Sequence, residues 1–181
     1  MQLLILIVFS FAVPIVLFVR LIQPLVLIRF GSIRSDVLGP SVIDPEYYLS
    51  EREVEKSKSI DCFYFQFQDP PNEQWAIMVR RHLRINAFFR YLDIANQLLP
   101  GGVVHHKMPC DTGSRDIKGF LARTKPHIKF TSEEDTRGCR FLESLSMQPS
   151  DRFICLIARD SAYKEKYQKG RIWGNRDWSY H

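Results

Sequence analysis

The chain carries none of the stock signals of common enzyme chemistry. GxGxxG, GxxxxGK[ST], HExxH and GxSxG are all absent from its 181 residues. That removes the sequence signatures of a dinucleotide fingerprint, a P-loop, a zincin helix and a nucleophile elbow. No Asp-x-Asp pair occurs to hold a divalent metal against a diphosphate. The four cysteines (Cys62, Cys110, Cys139 and Cys155) form no CxxC, and there is no N-x-S/T sequon. Both absences fit a reducing, cytosolic setting. Internal repeats and low-complexity tracts are missing as well. What is present is 45% hydrophobic, 13% aromatic and 25% charged, which excludes a disordered, collagen-like or disulfide-scaffold chain. A mean hydropathy of −0.17 excludes a multi-span membrane protein. The formal charge of +5 is scattered rather than striped. It argues against a nucleic-acid partner and is compatible with an anionic membrane surface or phosphate-bearing ligands.

Charge is also missing from Met1 to Val19 (MQLLILIVFSFAVPIVLFV). About 20 apolar residues in a helix span the hydrocarbon core, so residues 1–22 read as a short transmembrane anchor. A cleaved signal peptide would need a basic n-region and a small-residue cleavage site, and the run ends instead in Leu17, Phe18, Val19 and Arg20. A buried or monotopic apolar segment is the third reading. Arg20, Arg29 and Arg34 all follow the run, so the positive-inside bias puts the remainder in the cytoplasm, associated with the inner membrane.

Beyond it, Leu25–Phe30 and the alternating Ile60–Phe67 read as strands, with Gly31–Ser35 as a loop. Asp36 can cap a short helix before Pro45, and residues 51–59 read as exposed. Glu73–Ile85 places Trp75, Met78, Val79 and His82 on one helical stripe, and Phe88–Leu99 places Phe88, Leu92, Ala95 and Leu99 on another. Val103–Lys107 reads as a short strand. Thr131 and Glu134 have capping-box spacing, opening a helix that would bury Gly138, Phe141, Leu142 and Leu145. Phe153–Ala158 (FICLIA) is the clearest buried strand. Unbroken apolar strands alternating with helices imply a parallel α/β sheet.

Ligands of open parallel sheets bind beyond the carboxyl ends of the strands. Two strand-end loops carry suitable groups: Arg29, Gly31, Ser32 and Arg34 after the first strand, and Arg159, Asp160 and Ser161 after FICLIA. Arginine there can hold a phosphate bidentately; a capping Asp and Ser beside a surface Arg is the plainer reading. The tail sets Tyr163, Tyr167, Trp173, Trp178 and Tyr180 among five basic residues, a mixture suited to a sugar or nucleotide or to a basic surface. His105 and His106 with Cys110 and Asp111 match no zinc spacing and read as polar loop residues. Arg80, Arg81 and Arg84 read as a solvated helix face, with lipid headgroups or an anionic ligand as the sharper alternative.

Several segments together resemble a family of bacterial glycosyltransferases associated with surface-polysaccharide loci. They are Ile28–Arg34, the strand CFYF with PPNEQWA, LLPGG, and above all Ala158-Arg159-Asp160-Ser161-Ala162-Tyr163 with Asp177-Trp178-Ser179-Tyr180-His181. The resemblance covers roughly residues 24 to 181. It implies a GT-B-like architecture after the apolar N-terminal helix read above (1–22): a Rossmann-like acceptor-side domain (23–130), and a linker helix opening a truncated donor-binding domain (131–181). It implies a nucleotide-sugar donor, a surface-polysaccharide or other glycan acceptor, and no cofactor or metal; membrane attachment through the N-terminal helix is the expectation from the apolar run. Arg159, Asp160, Ser161, Tyr163, Asp177, Tyr180 and His181 would line the donor cleft, and Arg29, Gly31, Ser32 and Arg34 the acceptor side. Pro40 stands after Gly39, where many relatives have a polar residue such as His. No catalytic base is assigned. Family members continue past the final Tyr-His pair, so a chain stopping there is expected to be inactive alone. The other class of function is a non-catalytic, membrane-tethered interaction module.

Overall fold

The computed structural model describes residues 2–67, 70, 72–148 and 151–152. It divides into two compact units, Met1–Thr131 and Ser132–His181. In the first, parallel pairing begins where two apolar runs meet. Strand β1 (Ile28–Ile33) runs beside β2 (Ile60–Phe65), pairing Ile28 with Ile60 through to Ile33 with Phe65, and β2 pairs with the two-residue β3 (Arg84–Ile85). The sheet order is β1-β2-β3. Among the described residues the chain is thus α/β with a three-stranded parallel sheet.

Alternation of side chains across the sheet separates two apolar layers. On one side, helix α1 (Gln2–Leu21) and helix α4 (Phe89–Leu98) pack on Phe30 and Cys62 through Ala12, Val16, Val19, Leu92 and Ala95. On the other, α2 (Leu38–Glu55) and α3 (Glu73–His82) cover Ile33 and Phe63 with Tyr48, Met78, Val79 and Leu83. A third small cluster joins Tyr47 of α2 to Cys110 and to Phe120 of the short α5 (Phe120–Arg123). Buried ionic groups lock the second layer. Asp61 of β2 accepts from Arg29 Nε and Nη2 at 2.7 and 2.8 Å, from Tyr48 Oη at 2.6 Å and from Ser59 Oγ at 3.1 Å. Burial alone would raise its pKa, but the bonds from Arg29 and Tyr48 hold this carboxyl below the ordinary range.

The charge-free N-terminal run does not read as a spanning helix once folded. Among the described residues, no helix is long and apolar enough to cross a membrane. Ala12, Val16 and Val19, spaced i, i+4, i+7, belong to the core of the first unit. Arg20 ties the helix end to α4, donating to Asn96 Oδ1 at 2.8 Å and to the Pro100 carbonyl at 2.5 Å. The opposite side of α1 stays open, with Phe11 64%, Phe18 60% and Leu21 76% exposed.

The first strand is also displaced from the run Leu25–Phe30. The amides of Leu25 and Val26 turn back onto the Ile22 carbonyl at 2.9 and 3.0 Å, so pairing starts at Ile28 and takes in Gly31 and Ser32, read above as loop. The helix expected to end before Pro45 continues to Glu55. Proline removes the donor that would reach the Ser41 carbonyl, and the Trp75 indole Nε1 of α3 supplies one at 2.8 Å. Glu51, placed in an exposed stretch by sequence, is buried against Lys107. Residues 102–105 form a 3₁₀ turn (Gly102–His105) in place of a strand, followed by a single bridge between Phe30 and His106.

In the second unit, α6 (Ser132–Ser144) begins one residue after Thr131, but none of its residues is buried. Phe141 and Leu145, expected inside, are 62% and 57% exposed. FICLIA, RDSAY and the aromatic tail lie outside the described residues.

Gly31 is the tightest point of the sheet. A Cβ there would stand 1.8 Å from the Lys107 carbonyl oxygen, and backbone cannot yield as a side-chain tip can. Gly31→Ala is expected to cost about 3 kcal/mol, the upper end for overpacking a core, measured as a lowered urea midpoint with unchanged slope.

Candidate functional site

Helix α4 buries two stripes. Leu92 and Ala95 supply the apolar one; Asp93 and Asn96, each one residue further on, supply a polar one. Asn96 is spent on structure, its Nδ2 donating to the Gly102 carbonyl at 2.9 Å. Asp93 is not. One carboxylate oxygen accepts from the Tyr64 hydroxyl at 3.0 Å, and the other meets His106 Nδ1 at 3.0 Å. Ser32, paired with Tyr64 in the strand register, stands on the same face of the sheet beside it. Four residues far apart in sequence thus form one polar line on the face of the sheet covered by α4.

The electrostatics assign the protons. Burial, the largest single effect, pushes Asp93 upward, but the bonds from His106, Gln97 and Tyr64 together with the His106 charge outweigh it, and the carboxyl lies below its ordinary range. An ionised carboxylate only accepts, so Nδ1 of His106 carries hydrogen. In the neutral ring, Nε2 is then the lone-pair nitrogen. The hydrogen bond to Asp93 raises the His106 pKa against the opposing effect of burial. Burial, with the charge of Asp93, pushes the Tyr64 phenol up to about 12, so it stays a donor. The His106 side chain is one-third exposed and lines a cavity of about 570 Å³ walled by Gln97–Val103 at the end of α4. A half-open imidazole oriented by a buried carboxylate is the usual construction of a general base.

The acceptor-side residues read from sequence separate here. Arg29 is committed to Asp61 and Ser59. Gly31 is buried within β1, its missing side chain required by Lys107. Ser32 joins the polar line. Arg34 lies past the end of β1 and pairs with Asp36 at 2.8 Å. Arg159, Asp160, Ser161, Tyr163, Asp177, Tyr180 and His181 lie outside the described residues.

Tyr64, Asp93 and the role of His106 were missed. The signal for Asp93 was an acid next to the inward stripe of an amphipathic helix. His105, the neighbour of His106, is buried and bonded at Nδ1 to the Ile28 carbonyl at 2.7 Å and at Nε2 to Gln23 Oε1 at 3.1 Å. Asp111 pairs with Lys118. Among the described residues, no group of three or more His, Cys, Asp or Glu side chains could hold a metal ion.

The two titrations fix a pH window. His106, raised from 6.5, stabilises the fold fully below that value and loses the contribution as pH rises through its raised pKa. Asp93, lowered from 3.8, stabilises above that value and loses the contribution as pH falls through its lowered pKa. The pair is therefore strongest between pH 3.8 and 6.5. In an NMR titration, the His106 ring is expected to titrate above 6.5, and Asp93→Asn should bring it down. An unchanged midpoint in that variant would remove Asp93 as its cause.

Compared with known protein families, curated proteins and solved structures, the chain matches none of them.

Proposed function

We propose that this chain acts in a GT-B-like glycosyltransferase that moves a sugar from a nucleotide-sugar donor to a glycan acceptor, with residues 23–130 on the acceptor side. The observation that carries the reading is the Asp93–His106 pair beside a cavity on a parallel α/β unit. The resemblance of the RDSAY and DWSYH segments to bacterial glycosyltransferases supports the donor half. In this reaction, His106 Nε2 takes the proton of the acceptor hydroxyl, and the hydroxyl oxygen bonds to the anomeric carbon. The bond from that carbon to the diphosphate oxygen breaks, and the nucleoside diphosphate leaves. Arg159 is the residue proposed to meet the departing charge, with Asp160, Ser161, Tyr163, Asp177, Tyr180 and His181 around the donor.

The test uses the natural gene product that contains these residues. Transfer from a panel of nucleotide sugars should be detectable. His106→Ala should reduce kcat by roughly 10²-fold or more, the usual contribution of a general base. Transfer at the wild-type rate in His106→Ala, or none from any donor in the intact protein, would reject the reading.

The open side of α1 supports a membrane contact of the peripheral kind. Phe11, Leu17, Phe18, Leu21 and Leu25 are exposed together with no charged residue among them. The chain is expected to sediment with vesicles containing anionic lipid, and Phe18→Asp with Leu21→Asp should leave it in the supernatant. Equal partition of the double variant and the wild type would refute the contact.

A further inference from the structure

We propose that the cleft beyond the carboxyl ends of β2 and β3 binds a small acidic sugar, a single pyranose ring carrying a carboxylate or a phosphate. It is separate from the cavity beside His106. Its walls include Phe65 at the end of β2, Ile85 at the end of β3, Asn86, Arg80 of α3, and Arg90 and Tyr91 of α4. This is the edge of a parallel sheet at which ligands bind.

The charge here is one-sided. Among the described residues, no carboxylate lines the cleft. Arg80 lies 4.9 Å from the centre of the Phe65 ring, and among the described residues it has no acidic partner. Arg90 lies 5.3 Å from the centre of the Tyr64 ring. Its Nη2 donates to the Phe65 carbonyl at 3.1 Å and to the Gln66 carbonyl, which fixes the guanidinium in place. Nε and Nη1 of Arg90 have no hydrogen-bond partner among the described residues. Two positioned guanidinium groups without an acid form a fork for a carboxylate or phosphate. The Phe65 and Tyr91 rings offer apolar faces for the C–H side of a sugar. The cleft holds about 220 Å³, below the ~300 Å³ at which pockets for larger ligands begin. That suits one ring with its acid and is too small for a nucleotide.

The inference rests on the glycosyl-transfer reading only in naming this sugar a unit of the glycan acceptor other than the one whose hydroxyl meets His106; the binding itself does not depend on it. The Tyr64 ring links the two places: Arg90 lies over its face, while its hydroxyl bonds Asp93, the partner of His106.

Calorimetry on the full chain tests the proposal, with glucuronate, glucose 6-phosphate, inorganic phosphate and glucose as probes. One of the two acidic sugars should bind at least about tenfold more tightly than glucose and than inorganic phosphate. Which of them wins distinguishes a carboxylate from a phosphate ligand. Arg80→Ala, at an exposed position, should weaken that binding by about tenfold with an unchanged melting curve. Glucose binding equally well, inorganic phosphate matching both sugars, no binding of either acidic sugar, or full affinity in Arg80→Ala would each overturn it. Acidic-sugar binding together with no transfer by the intact enzyme would instead defeat the proposed function and leave this site standing.

Discussion

At Gly31, β1 has no side chain, and a second stretch of backbone uses the gap. The amide of Lys107 bonds the Phe30 carbonyl at 2.8 Å, and the Lys107 carbonyl lies where a Cβ would otherwise stand. Neighbouring residues of an extended segment point to opposite faces. His106 therefore turns to Asp93 of α4, while Lys107 turns to the buried Glu51 of α2. One close approach of two backbones ties both helical layers to the sheet edge and sets the position of the imidazole.

Two buried carboxylates, one on each face of the sheet, show how a shared residue type takes different roles. Asp61 is held by Arg29 and Arg52, whose charge persists at every physiological pH. Its surroundings never change charge, and it serves as a fixed staple between strand and helix. Asp93 has a phenol and an imidazole instead. The phenol keeps its proton, and the imidazole can give its proton up. A buried carboxylate paired with a group that titrates near neutrality can follow a proton transfer; one saturated by guanidinium cannot.

The legible parts of this fold were those with a strong local period. Ile60–Phe65 alternates, and Leu92 with Ala95 keeps the helical spacing, so strand and helix were both visible in sequence. The N-terminal run misled because a residue-by-residue reading sees apolarity and not its destination: Val16 faces the core and Phe18 faces outward, yet both are simply hydrophobic. The boundary of β1 was misplaced because Leu25 and Val26 are good strand residues held in a turn by the Ile22 carbonyl. The polar line escaped notice because it is a tertiary object. Ser32, Tyr64, Asp93 and His106 come from four separate elements, and no spacing connects them. On α6 the residues expected inside are not buried, because nothing within a helix states whether a partner covers its apolar stripe.

Pro45 leaves the Ser41 carbonyl without its helical donor, and Trp75 of α3 supplies the missing hydrogen. Helix α2 therefore cannot complete its own ladder from local sequence. Its central turn is finished by a residue 34 positions away, which joins the chain only after β2 has been laid down. A segment with this dependence is a poor nucleus on its own and a good sensor of assembly: the two helices gain their order together, and neither is expected to persist when the other is released.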